Sequence, residues 1–151
     1  MARRVFFSFH YEQDVWRAGI VRNSHVVVGT ATAGFHDSSL WEEAKRRGDR
    51  AIQRLVDDAL QRTTVTVVLI GAGTARRRWV RYEIAASHAR GNGLLGIYID
   101  QLPDQFGRKG VRGKVPAALA DLSAPCYVWN PARFGAWVES VAVSAGHRPS
   151  G

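Results

Sequence analysis

Thr64 to Asp100 reads TVTVVLIGAGTARRRWVRYEIAASHARGNGLLGIYID, and this stretch decides the fold. The β-branched run Val65 to Ile70 predicts a strand that ends in a glycine turn. A helix follows, and a second apolar run from Leu94 to Ile99 predicts another strand. Strand, helix and strand in that order make a βαβ unit, the building block of a parallel sheet. Gly91 or Gly93 closes the helix. Inside it, WVRYE spans Trp79 to Glu83, and residues four apart share one helical face. The helix thus carries a carboxylate early, near the sheet edge where open α/β folds bind ligands. An indole beside a carboxylate there suits a nucleotide: the ring stacks on a flat base, and the acid stabilises positive charge developing on a ribose. The Gly71 to Gly73 turn matches a dinucleotide loop only superficially, because the third glycine and the first-strand position are missing.

Outward from that unit the alternation continues. Arg4 to His10 predicts the first strand, Gln13 to Arg22 a helix with Trp16 and Ile20 on its inner face, and His25 to Gly29 a short strand. Ser39-Leu40-Trp41-Glu42 has capping-box spacing ahead of a helical stretch. Ile52, Leu55, Val56, Ala59 and Leu60 then recur with the period of an amphipathic helix. Residues 101 to 125 hold scattered Gly, Pro and basic residues and predict a long irregular connection, with few apolar anchors and a low cost of opening. Cys126 to Trp129 is the last strand. Asn130-Pro131 starts a helix, cap then first-turn proline, that runs to about Ala145. Five short strands separated by helices predict one α/β domain, flavodoxin-like, with a largely parallel sheet over residues 1 to 146 and a disordered tail at 147 to 151. Spacing does not fix the strand order; 2-1-3-4-5 is the expectation for a five-stranded domain of this kind.

A chain of 151 residues with 46% apolar content is enough for one full core. No run approaches the roughly 18 to 20 apolar residues of a membrane span. One cysteine, Cys126, excludes an internal disulfide and fits a reducing cytoplasm. The formal net charge of +8 raises the question of nucleic acid, but no zinc-finger, RNP or helix-turn-helix pattern accompanies it. Arg76, Arg77 and Arg78 instead make a positive rim at the start of the Glu83 helix, where they oppose the helix dipole and would suit an anionic small molecule. His10 and His36 lack metal-ligand spacing, so no metal is expected.

The residues carry a resemblance. VFFSFHYEQD resembles the first strand and following loop of TIR domains, and WVRYE resembles the Trp-x-x-x-Glu signature of NAD-consuming TIR domains. With FHDSSLWEEA ahead of the second helical stretch and TVTVVLIG before the third, the arrangement is similar to the TIR-like family of the Thoeris anti-phage protein ThsB, over about residues 3 to 100. That resemblance implies cleavage of the nicotinamide–ribose bond of NAD, as substrate rather than cofactor, and conversion of the ADP-ribose moiety into a signalling nucleotide that activates an effector protein. It implies Glu83 as the essential acid and Trp79 as its companion. Ser8, Phe9, His10, Tyr11, Trp41 and Arg77 are the further candidates for the substrate site. Several such domains carry basic residues where this chain has His10 and Tyr11, so phosphate contacts fall to Arg76 or Arg77. It further implies self-assembly or a phage-derived trigger. The segment from Val28 to Ser38 lacks the proline-bearing loop of animal adaptor TIR domains.

The chemistry stands without the family. Breaking an N-glycosidic bond passes through an oxocarbenium-like transition state that one placed carboxylate stabilises. Nicotinamide is already cationic in NAD and needs no protonation to leave, so a second acid is unnecessary. Aromatics around Glu83 would exclude water and let an internal nucleophile compete with hydrolysis. Two other readings remain at this point: a non-catalytic TIR-type interaction module, and an α/β domain that senses a nucleotide without consuming it. A phospho-acceptor cluster of Asp14, Asp37 and Asp100 lacks the paired acids and the lysine that such receivers carry.

Overall fold

The computed structural model describes residues 3–24, 27–31 and 39–149. Five strands, β1 (Arg4–Ser8), β2 (Val28–Thr30), β3 (Val65–Ile70), β4 (Gly93–Tyr98) and β5 (Cys126–Val128), form one sheet in the order β2-β1-β3-β4-β5. Every neighbouring pair is parallel. Among the described residues the α-helices are α1 (Tyr11–Arg22), α2 (Ser39–Arg47), α3 (Asp49–Leu60), α4 (Arg78–Ala89), α5 (Ala117–Asp121) and α6 (Pro131–Ser144). The flavodoxin-like order expected for this α/β domain is the one observed.

Strand pleat divides the core in two. Val5 and Phe7 of β1, with Val67, Leu69 and Ile97, pack on Ala18 and Val21 of α1 and on Phe134 and Val138 of α6. Phe6, on the opposite face, meets Trp41, Ile52, Val56 and Leu60 of α2 and α3. Val68 and Ile70 meet Val80 and Ile84 of α4 and Leu119 of α5. All six residues of β3 are buried, which is why its sequence is apolar on both faces, Thr66 apart, rather than alternating.

Several sequence expectations need correction. The first strand ends at Ser8 rather than His10, and α1 begins at Tyr11 rather than Gln13, because the imidazole Nδ1 of His10 accepts from the Gln13 amide and caps the helix. Trp16 is not on the inner face: it is 54% exposed, and α1 buries Asp14, Ala18 and Val21 instead. Ala18, wholly buried, packs in the sheet-facing core in its place. The second strand is Val28–Thr30; the expected start at His25 lies outside the described residues, as does Asp37. Ser39 already lies within α2, one position past the cap expected for it. The 101 to 125 connection is not weakly anchored. It contains α5, with Leu119 wholly buried. The Arg17 guanidinium donates to the carbonyls of Leu102 (2.9 Å) and Arg108 (3.0 Å), and Arg112 donates to Asp100 (2.9 Å). The start of the expected disordered tail is also held, since His147 Nε2 lies 2.8 Å from the Gly91 carbonyl and Arg3 donates to the Arg148 carbonyl.

Candidate active site

Glu83 is fixed from two directions. At the sheet, Ser8 ends β1 with its side chain on the α4 face, and its hydroxyl donates to Glu83 Oε1 at 2.7 Å. Both residues are buried, Ser8 completely. A hydrogen bond to a charged acceptor away from water is short and directional, so it holds the carboxylate in one rotamer. From behind, a buried chain ties α4 to β3. Asn92 Nδ2 donates to Thr66 Oγ1, Thr66 Oγ1 to Ser87 Oγ at 2.7 Å, and Ser87 Oγ to the Glu83 carbonyl at 2.6 Å. Sequence reasoning passed over Thr66, Ser87 and Asn92. Two of them leave a local mark, a polar Thr66 inside an apolar strand and a serine one turn after Glu83, while nothing local marks Asn92 or the link between the three.

The two ends of α4 are set by local sequence. A 3-10 turn, Thr74–Arg76, leads in, with Thr74 Oγ1 accepting from the Gly71 amide and donating to the Leu69 carbonyl. Of the two glycines that could close α4, Gly91 does so. It has φ +88, its amide bonds to the His88 carbonyl, and the Asn92 amide bonds to the Ser87 carbonyl, the paired bonds of a Schellman cap.

Beside Glu83 lies a narrow cavity of about 20 Å³ walled by Phe7, Phe9, Tyr11, Ala31, Trp41, Arg77, Trp79 and Val80. Trp41, Arg77 and Trp79 also wall a wider basin of about 380 Å³, completed by Glu12, Lys45, Arg76 and Arg78. The structure therefore brings Phe9, Tyr11, Trp41, Arg77, Trp79 and Glu83 to one cleft. Ser8 reaches Glu83 rather than the cleft wall. His10 stands at the α1 cap, where burial first and the Arg77 charge second lower its pKa from the usual 6.5. It is therefore neutral at pH 7, with Nδ1 as the acceptor. Trp79 is half-buried, edge-on to Tyr82 at 5.6 Å, with the Arg78 guanidinium 4.6 Å from its ring centre. Trp41 is 5% exposed, and its indole N–H has no hydrogen-bond partner among the described residues. Among the described residues no group of three or more His, Cys, Asp or Glu could hold a metal. Asp14 and Asp100 are each paired with an arginine of their own, Arg17 and Arg112.

A buried carboxylate at the carboxyl edge of a parallel sheet, walled by aromatics and opening onto cations, lies where open α/β sheets bind ligands. The family model described as "Thoeris protein ThsB, TIR-like domain" matches residues 6–104, and the chain belongs to that family. It is also 47% identical over 118 residues to a Bacillus cereus (strain MSX-D12) protein provisionally named cyclic ADP-D-ribose synthase ThsB1. That match takes in 77% of this chain and 62% of the relative, so the chain spans about three-fifths of the length of the curated relative it matches. Trp79, Glu83 and the end of β1 all fall inside the matched family segment. Among the described residues, no helix is long and apolar enough to cross a membrane.

Proposed function

We propose that this chain breaks the nicotinamide–ribose bond of NAD and joins the remaining ADP-ribose into a cyclic nucleotide that signals to an effector protein in anti-phage defence. The observation that carries the reading is Glu83 itself, a buried carboxylate held by Ser8 at the wall of an aromatic cleft. The relative's name, a cyclic ADP-D-ribose synthase, supports NAD as the substrate and cyclisation as the outcome.

In this reading the C–N bond between the ribose anomeric carbon and nicotinamide breaks, and nicotinamide leaves neutral with the bonding electron pair. Positive charge then spreads over the anomeric carbon and the ring oxygen, where the Glu83 carboxylate stabilises it without moving. Trp79 and Phe9 limit water at that carbon. A nitrogen of the substrate's own adenine attacks it and then loses a proton, which closes the ring; attack by water gives linear ADP-ribose instead. The donor of Trp41 and the guanidinium of Arg77 hold the polar parts of the substrate. Neither a membrane nor a specific nucleic acid takes part.

Incubation with NAD, assay of free nicotinamide and mass spectrometry of the nucleotide product test the reading. Glu83→Gln keeps volume and removes charge, and it should lower nicotinamide release about a hundredfold or more with the thermal melt little changed. Comparable activity in the variant would show that another group carries the chemistry, and absence of nicotinamide release by the wild type under all conditions would sink the reading.

A further inference from the structure

The wide basin outside the Glu83 cavity contains a carboxylate where its other groups call for an anion. Among the described residues four cations wall it, Lys45, Arg76, Arg77 and Arg78, and Glu12 is the single acid with them. Arg78 is engaged outside the basin by Asp49. Glu12 divides its two oxygens between two of the others: Oε2 accepts from Arg77 Nη2 at 3.0 Å, and Oε1 lies 3.8 Å from Lys45 Nζ, which is also 3.8 Å from Glu42 Oε2. His10 Nδ1 is 3.4 Å from the same Oε2 but accepts from the Gln13 amide, so it gives Glu12 no proton. Glu12 and Lys45 remain 44% and 43% exposed, so their attraction is screened and readily exchanged.

We infer that Glu12 occupies the seat of a ligand diphosphate and yields it on binding, so that Arg77, Lys45 and Arg76 grip the diphosphate of a nucleotide whose sugar reaches Glu83. This rests on the proposed function for the direction of the ligand and adds its anion-binding half. A second observation points to the same ligand. Trp41 and Trp79 wall both the basin and the inner cavity, and the buried indole N–H of Trp41 has no acceptor among the described residues. A diphosphate oxygen is a strong acceptor for such a donor. Glu12 offsets one of the basin's positive charges, and it also weakens every anion that enters. It therefore sets affinity and, through charge, preference for diphosphate-bearing over uncharged ligands.

The test is calorimetric binding of ADP-ribose, with adenosine as the ligand lacking the diphosphate. Removing a competitor held by an exposed ion pair, as in Glu12→Gln, should tighten ADP-ribose about two- to fivefold and leave adenosine unchanged. Lys45→Ala should weaken ADP-ribose by about threefold, and both effects should shrink as salt is raised. A gain in affinity is a result that a merely damaged fold cannot produce. Unchanged ADP-ribose affinity in Glu12→Gln, an equal gain for adenosine, or no ADP-ribose binding by either form overturns the inference. Binding is read without turnover. ADP-ribose held as described by a protein that releases no nicotinamide would sink the catalytic reading alone, and NAD cleavage with no effect at Glu12 would sink this one alone.

Discussion

Glu83 and Trp79 were readable as a pair because their spacing on one helix is local information. The Ser8 hydroxyl that holds Glu83 lies 75 residues away, and no pattern within either segment reports that contact. Polarity misled at α1, where Trp16 looks like a core residue and Asp14 like a surface one. The structure exposes the first and buries the second to 2%, beside Gly71 and paired with Arg17. His10 shows the same local limit. As an aromatic beside Phe9 it extends the strand pattern, yet its acceptor nitrogen stops the strand by capping α1. That role has a pH signature. Its pKa is lowered from 6.5 in the fold, so the folded state binds fewer protons there than the unfolded chain. The cap's contribution is fully present above pH 6.5 and is lost as pH falls through the lowered value. Thermal melts taken downward from pH 7 should fall more steeply for the wild type than for His10→Asn, which keeps a capping acceptor and does not titrate. Parallel slopes for the two proteins would remove His10 from the account.

At the scale of elements, periodicity and turn chemistry carried most of the reading. The α3 pattern of Ile52, Val56 and Leu60 became the buried face of that helix, and Asn130-Pro131 became the cap and first residue of α6. Boundaries moved wherever a side chain outcompeted the pattern, as at His10, and α5 was hidden in a segment whose Gly and Pro content resembles a loop. How α4 is held in place was not legible, because Asn92, Thr66 and Ser87 belong to three separate segments. Thr66→Val replaces one hydroxyl with a methyl of similar shape and breaks the chain in the middle. Leaving Ser87 and Asn92 short of a buried partner should cost about 1–3 kcal/mol in urea unfolding. Nicotinamide release should fall too, because Ser87 holds the carbonyl of Glu83. A loss below about 0.5 kcal/mol, the range of ordinary surface changes, would mean that the chain does not anchor α4.

For the whole molecule, the two volumes of the cleft set the terms. The cavity beside Glu83, about 20 Å³, has room for about one water, and a nicotinamide ring displaces several. On the proposed function, some wall must retreat before the substrate reaches Glu83. β1 and β3 sit in the middle of the sheet, and α4 is held by the Thr66 chain. α2 is the weakest wall. Its nine residues bury only Trp41 and Ala44 among apolar side chains, Leu40 is 64% exposed, and Glu42, Glu43, Lys45, Arg46 and Arg47 face solvent. It joins α3 through Gly48, whose φ of +107 suits glycine and whose position carries no side-chain cap. An element with so few buried contacts opens at a small fraction of the global unfolding free energy. Because Trp41 rides on α2, outward motion would widen the inner cavity and the basin together. Amide hydrogen exchange should therefore find α2 exchanging well ahead of β3 and α4, and saturating ADP-ribose should slow α2 more than any other helix. An α2 as protected as β3 in the free protein would place the opening elsewhere. Contact between copies or with a trigger would then have to act on a different wall.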